Sequence, residues 1–484
     1  MAGNIEGMEL RLYDTKTRQL QPLTPVRPGH VGIYLCGPTV QGSPHIGHLR
    51  AAVCFDVLIR WLRRNDVDVT YIRNITDIDD KILNNASANG EPWWQLASRY
   101  EREFAAAYDA LGLLPPSFEP RATAHILDQI QLVQRLLERG HAYEDGRGNV
   151  YFAVESQPDY GSLTHQHVND IGSTEDASQQ DAEIEAGKHN PRDFALWKAA
   201  RPGEPETASW EAPWGRGRPG WHLECSAMSR RYLGEKFDIH GGGIDLRFPH
   251  HENEQAQSHA AGWDFANLWV HNAWVTMADE KMSKSLGNTL SLGHLLQDSS
   301  PAAVRIALGT VHYRAVIEWN AQTLERAEDV WARLNAFVAD ATDFAGAPET
   351  IDLPAAQLPR KFSACLNDDL NVAGAMAVIY EHMKTGRRAL NEGDRVTVAR
   401  ELQLVRSMLD VLGIDPGSWR ADAERDGDLE RALDVMVTRV IAQRNEAREQ
   451  KDWQQADALR DLLTEAGIVV EDGAAESKWR ITND

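Results

Sequence analysis

Two short motifs in this sequence are suited to holding a polyphosphate. The first is Pro44–His48 (PHIGH), where His45 and His48 stand between a buried strand pattern and a helical one. The first turn of a helix presents unpaired N–H groups and partial positive charge, and two imidazoles add donors there. Gly47, which lacks a side chain, would let a flat nucleobase approach the backbone. Two histidines that merely cap a helix are the competing interpretation.

The second motif is Lys281–Ser285 (KMSKS), which follows a predicted strand. Lys281 and Lys284 in a loop could clamp a triphosphate whose charge grows in the transition state. A solvated basic loop is the simpler interpretation of one lysine. It explains poorly this pentapeptide in combination with the upstream histidines, so the two motifs together indicate a nucleoside triphosphate site.

A third set of side chains could hold a metal ion. Cys36, Cys225 and Glu254 supply two thiolates and a carboxylate, and a neighbouring histidine would complete a set that favours zinc over magnesium or calcium. His250 lies four residues before Glu254 and His251 three, so either shares a helical face with it. Spacing alone therefore leaves the histidine open. Buried cysteines beside a surface histidine pair are the alternative.

A parallel sheet is the element expected to position these groups. His30–Cys36 and Asp68–Ile75 have the pattern of buried strands, and an amphipathic helix lies between them. Strand, helix and strand in this order predict a right-handed crossover. Further strands are predicted at Phe237–His240 and Leu268–Thr276. Because ligands of open parallel sheets bind at the carboxyl ends of the strands, the site is expected at that edge.

The predicted fold class is α/β, with a split Rossmann-like parallel sheet in the catalytic domain, an inserted connective module and a following all-α helical bundle. The insertion is inferred from an irregular stretch at about residues 141–220, and the bundle from helical patterns that begin near Leu324. The predicted boundaries are 1–124 for the first half of the catalytic domain, 125–220 for the insertion, 221–280 for the second half, 281–341 for the region that begins with the Lys281–Ser285 motif, and 342–484 for the helical bundle.

Composition sets limits on the class of protein. The 484 residues include 50 basic and 72 acidic side chains, a net charge of −22, which argues weakly against a nucleic acid partner. A large acidic protein can still carry a local basic stripe. No run approaches the roughly 18 apolar residues of a spanning helix, the start lacks a secretion signal, and the four scattered cysteines suggest no disulfide framework. We expect a cytoplasmic enzyme that acts as a monomer and does not bind a membrane.

At this point a resemblance to a known family can be stated. The two phosphate motifs match, letter for letter, the His-Ile-Gly-His and Lys-Met-Ser-Lys-Ser signatures of class I aminoacyl-tRNA synthetases. The chain further resembles the cysteinyl-tRNA synthetases from about Leu10 to Arg480, most clearly in residues 34–40 (YLCGPTV), 73–81 (RNITDIDDK), 220–228 (GWHLECSAM) and 237–254.

The resemblance implies a two-step reaction and a set of site residues. L-Cysteine would be activated by ATP, with Mg²⁺, to cysteinyl-adenylate and transferred to the 3′-terminal adenosine of tRNA(Cys). One zinc ion per chain, on Cys36, Cys225, His250 and Glu254, would select the substrate thiolate. The resemblance assigns the other positions as follows: His45, His48, Lys281 and Lys284 to catalysis on ATP; Gly47, Lys284, Val275, Gly243, Asp245 and His240 to ATP binding; Gly37, Thr39, Thr76 and Trp221 to the cysteine pocket.

Simpler interpretations stay open for two of these residues, because Trp221 could be a core aromatic and Asp245 a helix cap. The nearest rival function is the related ligase that joins cysteine to glucosaminyl-inositol in mycothiol synthesis. That family is shorter and usually has leucine where Ile46 stands, so the long helical tail favours tRNA. A non-catalytic RNA-binding paralogue should show an eroded motif, and none is visible. The C-terminal Glu476–Lys478 departs from the usual Gly-Thr before Trp479.

Overall fold

The computed structural model describes residues 9–167, 182–277, 280–281, 290–297, 299–471 and 478–481. The chain divides into two compact units, Met1–Asp415 and Pro416–Asp484. None of the helices in the described ranges is long and apolar enough to cross a membrane.

The elements are numbered in chain order. The strands are β1 (Arg11–Asp14), β2 (Gln19–Pro22), β3 (His30–Leu35), β4 (Asp68–Arg73), β5 (Ala142–Glu144), β6 (Val150–Phe152), β7 (Phe194–Ala199), β8 (Gly217–Pro219), β9 (Lys236–Gly243), β10 (Phe265–Asn272), β11 (Val275–Met277), β12 (Glu280–Lys281), β13 (Ile317–Glu318), β14 (Ile468–Glu471) and β15 (Lys478–Ile481). The helices are α1 (Ile46–Arg64), α2 (Asp80–Asn89), α3 (Trp93–Ala110), α4 (Ile126–Glu138), α5 (Ala182–Glu185), α6 (Trp221–Leu233), α7 (His250–Ala260), α8 (Leu292–Leu295), α9 (Pro301–Gly309), α10 (Ala321–Ala345), α11 (Arg360–Asn367), α12 (Val372–Glu392), α13 (Arg395–Val411), α14 (Pro416–Glu449) and α15 (Trp453–Glu465).

A parallel sheet with the strand order β10–β9–β3–β4 forms the centre of the first unit. In its register Tyr34 lies opposite Ile72 on one side and His240 on the other. The strands are buried because helices cover the sheet, which is why β3 has an almost unbroken apolar sequence. Strands β3 and β4 precede the insertion and β9 and β10 follow it, as the split sheet requires.

The insertion is more regular than its sequence indicates. The stretch interpreted as irregular contains an antiparallel sheet in the order β5–β6–β7–β8, and Val150 lies opposite Trp197. Three of these strands have only three residues, too few for an alternating pattern to be recognised. The last strand, β8, runs into α6 after Gly220, so the insertion is joined directly to the helix that carries Trp221 and Cys225.

The predicted strand Leu268–Thr276 is in fact two strands. Strand β10 ends at Asn272, and β11 belongs to a second small sheet with the order β12–β11–β13. Two backbone hydrogen bonds explain the break, because Ala273 donates to Tyr313 and Ile317 donates to Trp274. The chain therefore leaves the central sheet just ahead of the Lys281–Ser285 motif.

The helices after the second sheet are divided between the two units. Helices α9 to α13 belong to the first unit, where α10, α12 and α13 pack against one another. The second unit contains α14, α15 and a hairpin in which Ile468 lies opposite Ile481. This hairpin is a departure from the all-α region expected there. Its strands have four residues each, and among the described residues they pair with each other alone, which left little pattern in the sequence.

Candidate active site and metal centre

The sequence-predicted metal ligands lie together at the carboxyl edge of the sheet. Cys36 follows β3, Cys225 lies on α6, and His250 and Glu254 lie one helical turn apart on α7. Their ligand atoms are all within 4.8 Å of one another. The two sulfur atoms are 3.6 Å apart, Cys36 Sγ is 3.4 Å from Glu254 Oε1, and His250 Nε2 is 3.0 Å from the same oxygen.

This arrangement fits a tetrahedral zinc ion. Ligand atoms about 2.0–2.3 Å from a central zinc would be separated by roughly 3.3–3.8 Å, close to the distances observed. The sulfur atoms are too far apart for a disulfide bond, and both thiols are free. Two soft sulfur donors with one imidazole and one carboxylate favour zinc over magnesium or calcium.

A second set of four side chains overlaps the first. Cys36 and Glu254 also lie within 4.8 Å of ring nitrogens of His240 and His251. His251 Nε2 is 3.9 Å from Glu254 Oε1, farther than the 3.0 Å of His250 Nε2. The first set also has both cysteines and the second only one. Geometry and donor chemistry therefore both favour His250 as the histidine of a zinc site.

His240, which the resemblance assigns to ATP, contacts the metal set. Its Nε2 lies 2.8 Å from Glu254 Oε2 and its side chain is fully buried, and its assignment to ATP stays a prediction. It also lies within β9, three residues before the end of that strand. In the structure His240 therefore supports the carboxylate of the metal set.

Further aromatic side chains orient the metal set. His222 Nδ1 lies 3.0 Å from His250 Nδ1, and the Trp221 ring stacks on His250 with centroids 4.1 Å apart. Burial lowers the pKa of His250 to about 4, which keeps its imidazole neutral and able to bind a metal. Burial also raises the pKa of the Cys36 and Cys225 thiols. A bound cation would reverse that effect by stabilising the thiolates.

The residues predicted for the cysteine pocket surround this metal set. Gly37 follows Cys36 and donates its backbone N–H to Asn74 Oδ1 at 2.8 Å. A Cβ atom at Gly37 would lie 1.7 Å from the Asn74 carbonyl oxygen, so only glycine fits. Thr39 and Thr76 form an isolated parallel bridge outside the named strands. Thr76 in turn donates its hydroxyl to Glu224, the residue before Cys225.

Asn74 and Glu224 are contacts that the sequence-based assignment of the site missed. Asn74 Oδ1 accepts the Gly37 N–H and lies 3.6 Å from Cys225 Sγ, while Glu224 is fully buried behind Thr76. Both residues stand inside the sequence blocks that carry the resemblance. Their roles follow from pairing between distant segments, which those blocks do not reveal.

The first phosphate motif forms the start of α1. His45 is the N-cap residue, its backbone N–H donates to His48 Nδ1 at 3.3 Å, and the two rings stack at 3.7 Å. A Cβ atom at Gly47 would come within 3.0 Å of the His45 ring, so a larger residue would crowd it. The first turn has no acidic side chain. No side chain of the first turn therefore neutralises the positive end of this helix.

The described residues on either side of the signature loop each have a backbone partner. On the far side, Ile46 donates its backbone N–H to Leu290 at 3.1 Å, and His45 pairs with Ser291. On the near side, the backbone of Lys281 in β12 lies opposite Thr276 in β11. Lys284, assigned to ATP, lies outside the described residues.

The remaining residues assigned to ATP lie on β9, in the turn after it and on β11. Gly243 ends β9 opposite Asn272, and a Cβ atom there would meet Asp245 Oδ1 at 2.4 Å. Asp245 lies in the helical turn that follows, and Val275 is buried at the start of β11. Gly243 and Asp245 therefore lie at the carboxyl end of β9 in the central sheet, whereas Val275 belongs to the second sheet.

Comparison with known families agrees with this arrangement. The family model for the tRNA synthetases class I (C) catalytic domain matches residues 22–329. A DALR domain matches residues 361–414, and a cysteinyl-tRNA ligase anticodon binding domain matches residues 430–480.

Individual relatives match almost the whole chain. The cysteine–tRNA ligase of Beutenbergia cavernae is 54% identical over 480 residues, which cover 98% of this chain and 99% of that protein. The cysteine–tRNA ligase of Streptomyces avermitilis is 48% identical over 476 residues, covering 98% and 99%. That of Micrococcus luteus is 49% identical over 492 residues, covering 98% and 100%.

Solved structures share the fold at lower identity. Mycobacterium tuberculosis methionyl-tRNA synthetase, in complex with methionyl-adenylate, has a TM-score of 0.53 and 16% identity, covering 80% of this chain and 90% of that chain. The Agrobacterium radiobacter LeuRS in a ternary complex with tRNA and LeuAMS has a TM-score of 0.58 and 13% identity, covering 81% and 87%. These similarities concern the fold, and they confirm the predicted α/β class.

Proposed function

The chain belongs to the class I cysteine–tRNA ligase family, and from this premise we propose that it joins L-cysteine to tRNA(Cys) in two ATP-dependent steps. In the first step a carboxylate oxygen of cysteine attacks the α-phosphorus of ATP, pyrophosphate leaves, and cysteinyl-adenylate forms. In the second step a hydroxyl of the 3′-terminal ribose attacks the acyl carbon, and AMP leaves. Neither step needs a strong side-chain base, because positioning and charge stabilisation suffice.

The observation that carries this proposal is the position of the metal set in the cysteine pocket. Cys36 is bonded directly to Gly37, and Trp221 stacks on His250. Shape alone would separate cysteine from serine or alanine by only about 1–3 kcal/mol. A zinc ion on Cys36, Cys225, His250 and Glu254 would supply a Lewis acid that prefers the soft substrate sulfur. The protein residues around it hold the amino acid and exclude water.

The start of α1 is the proposed phosphate site. His45 and His48 would donate to the phosphates, with Gly47 beneath the adenine, and Lys281 and Lys284 would stabilise the departing pyrophosphate with Mg²⁺. Gly243, Asp245 and Val275 would face the adenosine, at the edge of the sheet where nucleotides bind in open parallel sheets.

The proposed acceptor is tRNA(Cys). Two observations support it over glucosaminyl-inositol: the matches to a DALR domain and to an anticodon binding domain, and the helices that continue to Glu465. The shorter mycothiol ligases lack most of that region. The cytoplasmic location and the monomeric state stay predictions.

The test separates activation from transfer. ATP–pyrophosphate exchange is measured with cysteine, serine and alanine, and transfer is then measured to a tRNA(Cys) transcript, to a transcript with another anticodon, and to glucosaminyl-inositol. We expect exchange with cysteine alone and charging of tRNA(Cys) alone. Exchange without tRNA charging, but with transfer to the amino sugar, would establish the mycothiol ligase instead. No exchange with any amino acid would contradict both enzymes.

A further inference from the structure

Asp369 lies outside the candidate active site, in the turn between α11 and α12, and is a point where three chain segments meet. Its buried carboxylate accepts the backbone N–H of Tyr13 at 2.8 Å and the hydroxyl of Tyr313 at 2.5 Å. The other oxygen lies 2.6 Å from Arg314 Nη2. One side chain of the helical region thus holds both the N-terminal hairpin and the turn after α9.

The backbone at this point has an uncommon conformation. Asp369 and Leu370 have φ angles of 56° and 53°, in the left-handed region that residues other than glycine rarely adopt. Two such residues in succession are strained, and they persist only where the surroundings fix them. The Asp369 N–H donates to the Arg11 carbonyl at 3.0 Å, and Leu370 is buried. The conformation therefore directs the Asp369 carboxylate toward the turn after α9.

The hydrogen bonds to Asp369 fix the protonation of Tyr313 and the position of Arg314. Burial and the neighbouring Asp369 carboxylate raise the pKa of Tyr313, so its phenol keeps its proton and donates it. Arg314 is also placed over the Tyr13 ring, 4.3 Å from its centre. The carboxylate thus accepts a neutral donor from Tyr313 and a charged donor from Arg314. The hydrogen bond from the charged donor is the stronger one.

The turn held by Asp369 is bonded directly to the strand that leads into the signature loop. The Tyr313 carbonyl accepts the N–H of Ala273 at 2.8 Å, and the Trp274 carbonyl accepts the N–H of Ile317 at 3.1 Å. These bonds fix the start of β11, whose partner strand β12 contains Lys281. The path from Asp369 to the near anchor of the loop therefore runs through three contacts, which join Asp369 to Tyr313, Tyr313 to Ala273, and β11 to β12.

We propose that Asp369 is a positioning residue for the ATP step, acting through Tyr313 and Arg314 on the strand that leads into the Lys281–Ser285 motif. The inference rests on the proposed function, because it takes that motif to bind ATP. The far anchor of the loop, Leu290, is fixed to α1 independently of Asp369. Loss of the near anchor should therefore misplace the lysines relative to ATP while the cysteine pocket keeps its contacts.

The test uses the full-length Asp369→Asn variant in ATP–pyrophosphate exchange. Asparagine keeps the shape, tolerates a left-handed backbone and still accepts one hydrogen bond, but it loses the charge that pairs with Arg314. We expect the KM for ATP to rise about tenfold with the KM for cysteine unchanged, since small misplacements of reacting groups are costly. The exposed neighbour Asp368→Asn is the matched control and should behave as wild type.

A merely structural role would give a different pattern. It would lower the melting temperature and the active fraction and leave both KM values unchanged, or raise them equally, and either result would overturn the proposal. Tyr313→Phe removes only the hydroxyl donor and should shift the KM for ATP in the same direction, so it serves as the test if Asp369→Asn is recovered poorly. Wild-type exchange, measured in parallel, reports on the proposed function separately.

Discussion

Thr76 donates its hydroxyl to Glu224 across 2.7 Å, which joins the loop after β4 to the helix that carries Cys225. The Thr76 N–H also donates to the Pro38 carbonyl, next to Gly37. Burial raises the pKa of Glu224 well above its usual value, and the hydrogen bond from Thr76 partly offsets this rise. One threonine therefore connects the two chain segments that would enclose a bound cysteine.

Thr76→Val should weaken both the fold and cysteine binding. Valine has the same shape but no hydroxyl, so a buried acceptor loses its donor at a cost of about 1–3 kcal/mol. We expect a matching loss in the free energy of unfolding by urea and a KM for cysteine raised about tenfold in pyrophosphate exchange. Thr76→Ser keeps the hydroxyl and should restore most of both. Equal effects of the two variants would show that the methyl group matters instead.

Cys225→Ala should remove zinc and cysteine recognition together. The variant leaves three of the four proposed ligands, and loss of a soft sulfur donor weakens a zinc site most. We expect less than one equivalent of zinc by elemental mass spectrometry and a KM for cysteine raised more than about tenfold. The control is Cys54→Ala, because Cys54 is buried in α1 outside the metal set. Full zinc content and wild-type KM in Cys225→Ala would refute the proposed site.

Gly37→Ala should disturb the pocket through backbone crowding. The added methyl group would lie 1.7 Å from the Asn74 carbonyl oxygen, so one of two paired segments must move. Overpacking of this kind costs about 1–3 kcal/mol, and the KM for cysteine should rise with it. Gly293→Ala is a suitable control, because a Cβ atom there meets no atom of the described residues within 4 Å. A Gly37→Ala enzyme with unchanged stability and KM would argue against this placement of the pocket.

The central sheet and the helix that follows β3 could be predicted because their signals are local. Strand β3 is a continuous apolar run, and α1 follows it after one turn-rich segment. The strands of the insertion could not be predicted in the same way. Strand β6 has three residues, and its register depends on Trp197, which is far along the chain from Val150. A short strand gains its stability from such a partner, not from its own sequence.

The sequence predicts the candidate site only in part, for the same reason. His250 and His251 are equally suitable by helical spacing, and only their distances to Glu254 separate them. The contact of His240 with Glu254 likewise depends on how α7 packs beside β9, which the sequence around His240 does not reveal. Local sequence thus indicates the donor types, while the choice among them depends on how distant segments pack.

A buried ion cluster between the insertion and α2 provides the last prediction. Asp80 lies 2.6 Å from Lys198 on β7 and 2.6 Å from Arg218 on β8, and Arg218 also binds Glu204 at 2.7 Å. Arg218 stands three residues before Trp221, so the cluster fixes the entry to α6. Burial would raise the pKa of Asp80, but the two cations outweigh it and hold that pKa well below its usual value.

Asp80→Asn should destabilise the protein by about 3 kcal/mol, because it leaves two cations buried with too little negative charge. The two cationic side chains are only 6% and 4% exposed, so water cannot replace the lost partner. Adding Lys198→Met to this variant should recover part of the loss. Glu381→Gln, which removes one member of the exposed pair with Lys361, should have little effect.

The pH dependence of this loss has a definite sign. Because the pKa of Asp80 is depressed in the folded state, its stabilising contribution is complete above the unfolded pKa near 4 and is lost as the pH falls below it. The difference in the free energy of unfolding between wild type and Asp80→Asn should therefore be constant from about pH 7 to 5 and shrink below about pH 4. Urea unfolding at several pH values measures it. A difference that stays constant below pH 4 would mean that the variant acts by a change of shape, and not by loss of the carboxylate charge.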